Sequence, residues 1–169
     1  LTEIAYPLFK EKDIKFYTIA FDQIHYCVNP ITPRYLPNEE SVNELSKVLI
    51  ENLLEFNESS TNSTTKFFSD AVEGLMGGMI WKLKTSYPQY CTLPHLIAIF
   101  QSMTTKQLVT FVSSNITSRS MASAFINGMD SDKQTAGVKS TLANAFKKIG
   151  SQQLFMALSK DEVPLNINS

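Results

Sequence analysis

The residues best suited to metal binding or nucleophilic chemistry in this sequence are its two cysteines and two histidines. His25 and Cys27 lie close together along the chain, and so do Cys91 and His95. Together they form a Cys₂His₂ set, which has the ligand types that zinc prefers. The spacings match none of the common zinc patterns, and nothing in the sequence makes the two pairs converge. We therefore predict no metal site and interpret all four as core or partly exposed residues, with both cysteines as buried free thiols.

Cys91 and His95 also form the one obvious thiol–imidazole pair for nucleophilic catalysis, but no third group that could orient the imidazole is evident. A phosphate-binding loop is missing as well, because Gly77-Gly78 is not followed by the Gly-Lys-Ser/Thr that such a loop needs. The sequence therefore predicts a chain that is not an enzyme by itself and that binds no cofactor.

Basic residues are the remaining candidates, because the two parts of the chain differ in charge. Residues 1–91 carry eight Lys/Arg and twelve Asp/Glu, whereas residues 92–160 carry seven Lys/Arg against Asp130 and Asp132. Lysine and arginine bind phosphates, with an affinity that falls as salt rises. Neither aromatic interleaving nor a helix-turn-helix pattern accompanies them, so we expect backbone contacts with little sequence preference. The alternative is a solvated helix face. The candidate contacts are Lys106, Arg119, Lys133, Lys139, Lys147 and Lys148.

Helical patterns must position these side chains. Apolar residues recur at helical spacing from Val42 to Phe56, from Phe68 to Leu83 and from Val138 to Ile149. Boxes that would cap helix N-termini begin at Ser41, Thr104 and Ser131, and Thr92 precedes a shorter helix with Pro94 in its first turn. Residues 118–128 form a further amphipathic segment, a polar loop is expected over 57–64, and Gly150 ends or bends the last long helix.

The first 40 residues have a different character. Residues 1–12 could form a short helix, and residues 14–21 are rich in β-branched and aromatic side chains, which predicts a strand. The segment from Asn29 to Pro33 is then extended and turn-rich. A lone strand cannot pair its own backbone, so we expect its partners to be missing from this chain or to lie near the C-terminus. We predict a mainly α, multi-helix bundle with a short N-terminal α/β segment, divided into residues 1–40, 41–160 and 161–169.

Composition agrees with one globular domain, at 43% hydrophobic and 18% charged residues. The longest apolar stretches are short, such as residues 96–100, whereas about 20 residues are needed to span a bilayer. No secretory signal is visible. The first residue is Leu1 rather than Met, so we expect the chain to begin inside a longer protein.

The order of these features resembles the coupling proteins of conjugative type IV secretion, the TraG- and TraD-like ATPases. In that family a strand and an Asn-Pro passage precede an all-helical insertion. The segments that carry the resemblance are Phe16 to Asp22, Asn29-Pro30-Ile31, Ser41 to Leu45, Phe67 to Ala71, Thr92 to Leu96 and Gln134 to Leu142. The Walker A and Walker B motifs of the family are absent from this sequence, so no catalytic residue can be carried over.

The resemblance implies that residues 1–40 are a remnant of a RecA-like nucleotide-binding domain and that residues 41–160 are its all-α domain. The full-length parent would be a membrane-anchored, hexameric ATPase that uses ATP and magnesium on the cytoplasmic side of the bacterial inner membrane. This chain would dock relaxosome proteins and guide the transferred DNA without contacting the membrane itself. The alternative is a general helical protein–protein interaction module with no nucleic-acid role.

Overall fold

The computed structural model describes residues 25–54 and 63–163, together with Ile19, and in these residues it is a multi-helix bundle. The helices are α1 (Glu39–Leu54), α2 (Ser63–Ser86), α3 (Leu93–Ser102), α4 (Thr105–Ser113), α5 (Ile116–Met121), α6 (Ser123–Asn127), α7 (Asp132–Ile149) and α8 (Gln152–Ala157). Short 3₁₀ turns span Pro33–Tyr35, Pro88–Tyr90 and Gly128–Asp130. The mainly α fold is thus confirmed. The helix predicted over 1–12, the strand predicted over 14–21, most of the loop predicted over 57–64 and the end of the C-terminal tail lie outside the described residues.

Helix α2 forms the centre of the bundle and packs against α1, α3, α4, α5, α6 and α7. Its aliphatic residues from Val72 to Leu83 are almost entirely removed from water, and Trp81 is partly buried. Glycines allow the closest approach: a Cβ added at Gly78 would lie 2.7 Å from the carbonyl oxygen of Ser118, and one at Gly74 would collide with the carbonyl oxygen of Met121. Gly74 and Gly78 therefore allow the backbone of α5 to approach α2 closely.

Local capping explains where several helices begin. The Thr104 hydroxyl accepts a hydrogen bond from the backbone N–H of Gln107, and the side-chain oxygen of Gln107 accepts one from the backbone N–H of Thr104, which confirms the predicted box. Ser131 caps α7 through its hydroxyl, and Thr92 caps α3. The box predicted at Ser41 is wrong: α1 begins two residues earlier, because the side-chain oxygen of Asn38 accepts the N–H of Ser41 at 2.9 Å.

The amphipathic segment predicted over 118–128 is two short helices, α5 and α6, rather than one. They divide at Ala122, whose fully buried methyl group faces the Gly78 backbone. Asn115 caps α5 by accepting the N–H of Ser118. The last long helix, α7, ends at Gly150 as predicted.

Both ends of the described bundle meet on one side. The Val28 N–H donates to the Ala157 carbonyl at 2.8 Å, and the Glu162 N–H donates to the Cys27 carbonyl at 3.1 Å. The Glu162 carboxylate accepts the Cys27 N–H at 2.9 Å, and Arg34 pairs with Asp161 at 2.8 Å. The chain therefore enters and leaves the bundle at adjacent points.

Candidate nucleic-acid interface

The six basic residues predicted to contact nucleic acid lie on three helices. Lys106 is on α4, Arg119 is on α5, and the four remaining lysines are on α7. Five of the six are exposed, and Lys139 is half-buried. The structure therefore distributes them over the surface and does not gather them into a single cluster.

Lys139 is engaged inside the bundle. Its ammonium donates to the carbonyl oxygen of Met103 at 3.4 Å and lies 5.9 Å from the centre of the Phe100 ring. Met103 is the C-cap of α3, where the helix leaves carbonyl groups unpaired. Lys139 therefore has a structural role in joining α7 to the end of α3, and its contact with a phosphate stays a prediction.

The other lysines of α7 occupy its two ends. Lys133 stands beside Asp132 in the first turn, and Lys147 and Lys148 stand in the last turn, where the helix dipole favours positive charge. A rise of 1.5 Å per residue separates Lys133 from Lys147 by roughly 21 Å along the axis. The C-terminal end of α7 is therefore the denser basic site on this helix.

Lys106 and Arg119 each line a shallow depression that also contains apolar side chains. Lys106 lies with Met103 and Phe111, and Arg119 lies with Ile116 and Ile126. Ile116 is 87% exposed, which is unusual for a large apolar side chain. Both depressions combine one positive charge with apolar surface, a combination that can serve a protein partner as well as a phosphate.

The cysteines and histidines have separate environments. The Cys91 thiol is buried and donates to the Ile31 carbonyl at 3.1 Å, whereas the His95 imidazole Nδ1 lies 2.7 Å from the Thr92 hydroxyl. The thiol of Cys27 donates to the Met156 carbonyl instead. Within the described residues, no three His, Cys, Asp or Glu side chains come close enough to hold a metal ion.

Both thiols are free. Burial raises the pKa of Cys91 to about 12. Burial, and then the neighbouring Glu162 carboxylate, raises the pKa of Cys27. A raised pKa keeps a thiol in its protonated form, which is a poor nucleophile and a poor metal ligand. Both thiols were expected to be buried. This is confirmed for Cys91 and wrong for Cys27, which is half-exposed.

A second basic region, at the C-terminal end of α2, was missed by sequence reasoning. Lys82 and Lys84 are the last two basic residues of α2, and the 3₁₀ turn that follows exposes Tyr87 and Tyr90. The prediction that the basic residues have no interleaved aromatics holds for the lysines of α7 but not for this region. One signal could have found it: from Glu73 to Asp130 the sequence contains no other Asp or Glu.

No family model, curated protein or solved structure matches this chain. In the part of the chain that the structure describes, no helix has both the length and the apolar character needed to cross a bilayer. Function must therefore be inferred from the residues and the geometry of the chain itself.

Proposed function

We propose that this chain is the docking and DNA-guiding domain of a conjugative coupling protein, and that it has no catalytic activity of its own. The parent protein would supply ATP hydrolysis, the hexamer and the membrane anchor at the cytoplasmic side of the inner membrane. Relaxosome proteins and transferred DNA would be the partners of this domain, and DNA would be bound through its backbone.

The observation that carries this proposal is the pairing of the two ends of the bundle. Val28 and Ala157, and likewise Cys27 and Glu162, are joined by backbone hydrogen bonds. A domain whose ends are adjacent can be inserted into another domain without separating the two halves of its host. This geometry is what an all-α insertion in an ATPase domain requires, and it supports connections to that host near Cys27 and Glu162. Ile31 and Leu36, which follow Cys27, belong to the core of the bundle.

The basic end of α7 supports the DNA-guiding part of the proposal. Lys147 and Lys148 project from the last turn, one turn away from the segment that leads into α8. Two lysines in one helical turn can contact phosphates of a nucleic-acid backbone without selecting a base sequence. We therefore place the strongest backbone contact at this end of α7.

Binding of labelled single- and double-stranded DNA at low and moderate salt, followed by fluorescence anisotropy, tests this part. Charge reversal at Lys133, Lys147 and Lys148 should abolish salt-dependent binding of double-stranded DNA. Lys139 is left unchanged, because its ammonium joins two helices. Lys47→Glu is the matched control, since Lys47 is equally exposed but lies on α1 beside Glu51. Absence of binding at low salt would exclude the DNA-guiding role for this chain.

A protein–protein interaction module without a nucleic-acid role is the second candidate. The depression around Ile116 favours it, because an isoleucine exposed to 87% beside Ile126 offers apolar surface to a partner. Ile116→Asp should then prevent capture of the partner while leaving the unfolding temperature unchanged. Under this alternative the charge reversals on α7 would have no effect on partner binding.

A further inference from the structure

The C-terminal end of α2 and the 3₁₀ turn after it present aromatic rings next to basic side chains. We propose that this region, which we call the aromatic turn (Lys82, Lys84, Tyr87, Tyr90 and His95), binds single-stranded nucleic acid. Bases stack on its rings and phosphates contact its two lysines. The inference rests on the proposed DNA-guiding function. It specifies that the bound nucleic acid is single-stranded, and it adds a second binding site away from α7.

The rings are exposed although their backbone is fixed. Tyr87 is 45% exposed and Tyr90 is 48% exposed. The Tyr87 N–H donates to the Leu83 carbonyl at 2.8 Å, and the Tyr90 N–H donates to the Tyr87 carbonyl at 2.9 Å. Tyrosine has two side-chain torsions, so a ring on a fixed backbone loses little conformational entropy when a base stacks on it.

Buried contacts hold the turn against the rest of the bundle. Cys91, the residue after the turn, is 1% exposed, and its thiol donates to the Ile31 carbonyl. The Cys91 carbonyl accepts a hydrogen bond from the Asn29 side chain at 2.8 Å. The turn is therefore anchored directly beneath the exposed rings.

His95 extends the aromatic surface. Its ring centre lies 5.1 Å from that of Tyr90, at an angle of 53°, and its Nδ1 is 2.7 Å from the Thr92 hydroxyl. The hydrogen bond with Thr92 fixes the orientation of the imidazole beside the tyrosine. Adjacent fixed rings are the stacking platforms on which proteins hold unpaired bases.

Positive charge lies next to the rings. The Lys82 ammonium is 5.9 Å from the centre of the Tyr87 ring and donates to the Ser86 hydroxyl at 2.9 Å. The Lys84 ammonium is 4.2 Å from the centre of the Trp81 ring and donates to the Pro37 carbonyl at 3.4 Å. Since no Asp or Glu occurs between Glu73 and Asp130, the turn itself contributes no carboxylate that would repel a phosphate.

The combination of exposed rings and lysines favours one class of partner. An acidic peptide would use the lysines but would not need three exposed rings, and an apolar peptide would not use the positive charge of the lysines. In a duplex the base faces are already stacked, so the rings cannot reach them. A single strand offers both unstacked base faces and phosphates, and it therefore uses every exposed group of the turn.

The test is a titration of the intact chain with fluorescein-labelled oligodeoxythymidylate. Anisotropy would give the affinity, and quenching of Trp81, the one tryptophan of the chain, would report occupancy beside the turn. Tyr87→Leu and Tyr90→Leu should each weaken binding by about fivefold or more, because each removes a stacking ring. Tyr87→Phe and Tyr90→Phe are the matched controls, which keep the rings and should bind within about twofold of the unchanged chain.

The lysines provide a second readout. Lys82→Gln and Lys84→Gln should each reduce the slope of log affinity against log salt by about 0.7, the value for one phosphate contact on a single strand. The tyrosine variants should leave this slope unchanged. Unchanged affinity in both leucine variants would overturn the inference, and so would equal weakening in the leucine and phenylalanine variants.

Further outcomes separate this inference from the proposed function. If charge reversal at Lys147 and Lys148 abolishes binding while both leucine variants bind normally, the aromatic turn is excluded and the DNA-guiding function is retained. If only the leucine variants lose binding, the inference is supported and α7 is excluded as the site. If the chain binds neither single nor double strands, both proposals fail. Polyglutamate could instead displace the strand and bind all tyrosine variants with equal affinity. That result would identify an acidic protein segment as the ligand and overturn the inference.

Discussion

Asn29 connects two distant parts of the chain through its side chain. Its amide NH₂ donates to the Cys91 carbonyl, and its amide oxygen accepts the Ile31 N–H at 3.2 Å. Asn29 is almost fully buried, so neither partner can turn to water instead. In the sequence this residue stood out only as part of an Asn-Pro passage, whereas in the structure it fastens the segment before α1 to the aromatic turn.

Asn29→Ala should lower the free energy of unfolding by about 2 to 4 kcal/mol, because it leaves a buried carbonyl and a buried N–H without partners. Urea denaturation followed by circular dichroism measures this change. Asn52→Ala is the control, since the Asn52 side chain makes a local bond on the exposed face of α1 and its loss should cost at most about 0.5 kcal/mol. Equal losses in the two variants would contradict the role assigned to Asn29.

Cys91 makes the free energy of unfolding depend on pH in the alkaline range. Burial raises its pKa from 9.0 to about 12, so the folded state keeps the thiol protonated after the unfolded state has ionised. The stability due to this thiol is fully present below pH 9.0 and is lost as pH rises toward 12. The loss approaches 1.4 kcal/mol per pH unit within that window, which is about 2.3RT.

Cys91→Ala removes this titration. Urea unfolding from pH 7 to pH 10.5 should show a shallower alkaline decline for the variant, although its neutral-pH stability will be lower because a buried side chain is shortened. The difference in slope between the two proteins is the informative quantity, since lysines and tyrosines titrate in both. Parallel slopes would mean that the Cys91 thiol is accessible to water in the folded state.

At the scale of elements, the packing of α2 against its neighbours depends on where the glycines of α2 lie. A Cβ at Gly78 would meet a carbonyl oxygen at 2.7 Å and the Ala122 methyl group at 3.2 Å, neither of which can move alone. A Cβ at Gly77 would instead meet the end of the Met121 side chain at 3.1 Å and the Ser46 hydroxyl at 3.3 Å. The two positions are adjacent in sequence but differ in what they face.

Gly78→Ala should therefore destabilise the protein by about 1 to 3 kcal/mol, because α5 must move away from α2. Gly77→Ala should change stability by less than about 1 kcal/mol, since a methionine can adapt and alanine improves helix propensity. Thermal unfolding of the two variants side by side measures the contrast. A Gly78→Ala protein as stable as Gly77→Ala would show that α5 does not approach α2 as closely as described.

The helices that the sequence predicts well are those with local signals. The Thr104 and Ser131 caps depend on side chains within three residues, so spacing alone locates α4 and α7. The division at Ala122 could not be predicted, because it arises where α5 and α6 meet the glycines of α2. The aromatic turn was missed for a related reason: Tyr90 and His95 belong to different elements, and only the turn between them brings their rings together.

The candidate basic site shows the same division between local and tertiary information. The sequence identifies lysines by type, and five of the six predicted basic residues are indeed exposed. It cannot distinguish Lys139, whose ammonium bonds to Met103, a residue far away along the chain. Spacing along one helix gives no information about a partner on another helix. The exposure of each lysine and the bond between Lys139 and Met103 are therefore known only from the fold.

At the scale of the whole molecule, the proposed insertion requires that the two ends stay joined in solution. The amides of Val28 and Glu162 are the direct probes, because each donates to a carbonyl from the opposite end of the described chain. Hydrogen exchange of the intact chain should show both amides protected to nearly the same degree as those of α8. Glu162→Ala removes the carboxylate that accepts the Cys27 N–H, so it should speed exchange at Cys27 and leave Val28 protected. If Val28 and Glu162 exchange as fast as an unstructured chain while α2 stays protected, the ends are not joined. Joined ends would then no longer support a domain inserted into a larger host, whereas the bundle and its aromatic turn would be unaffected.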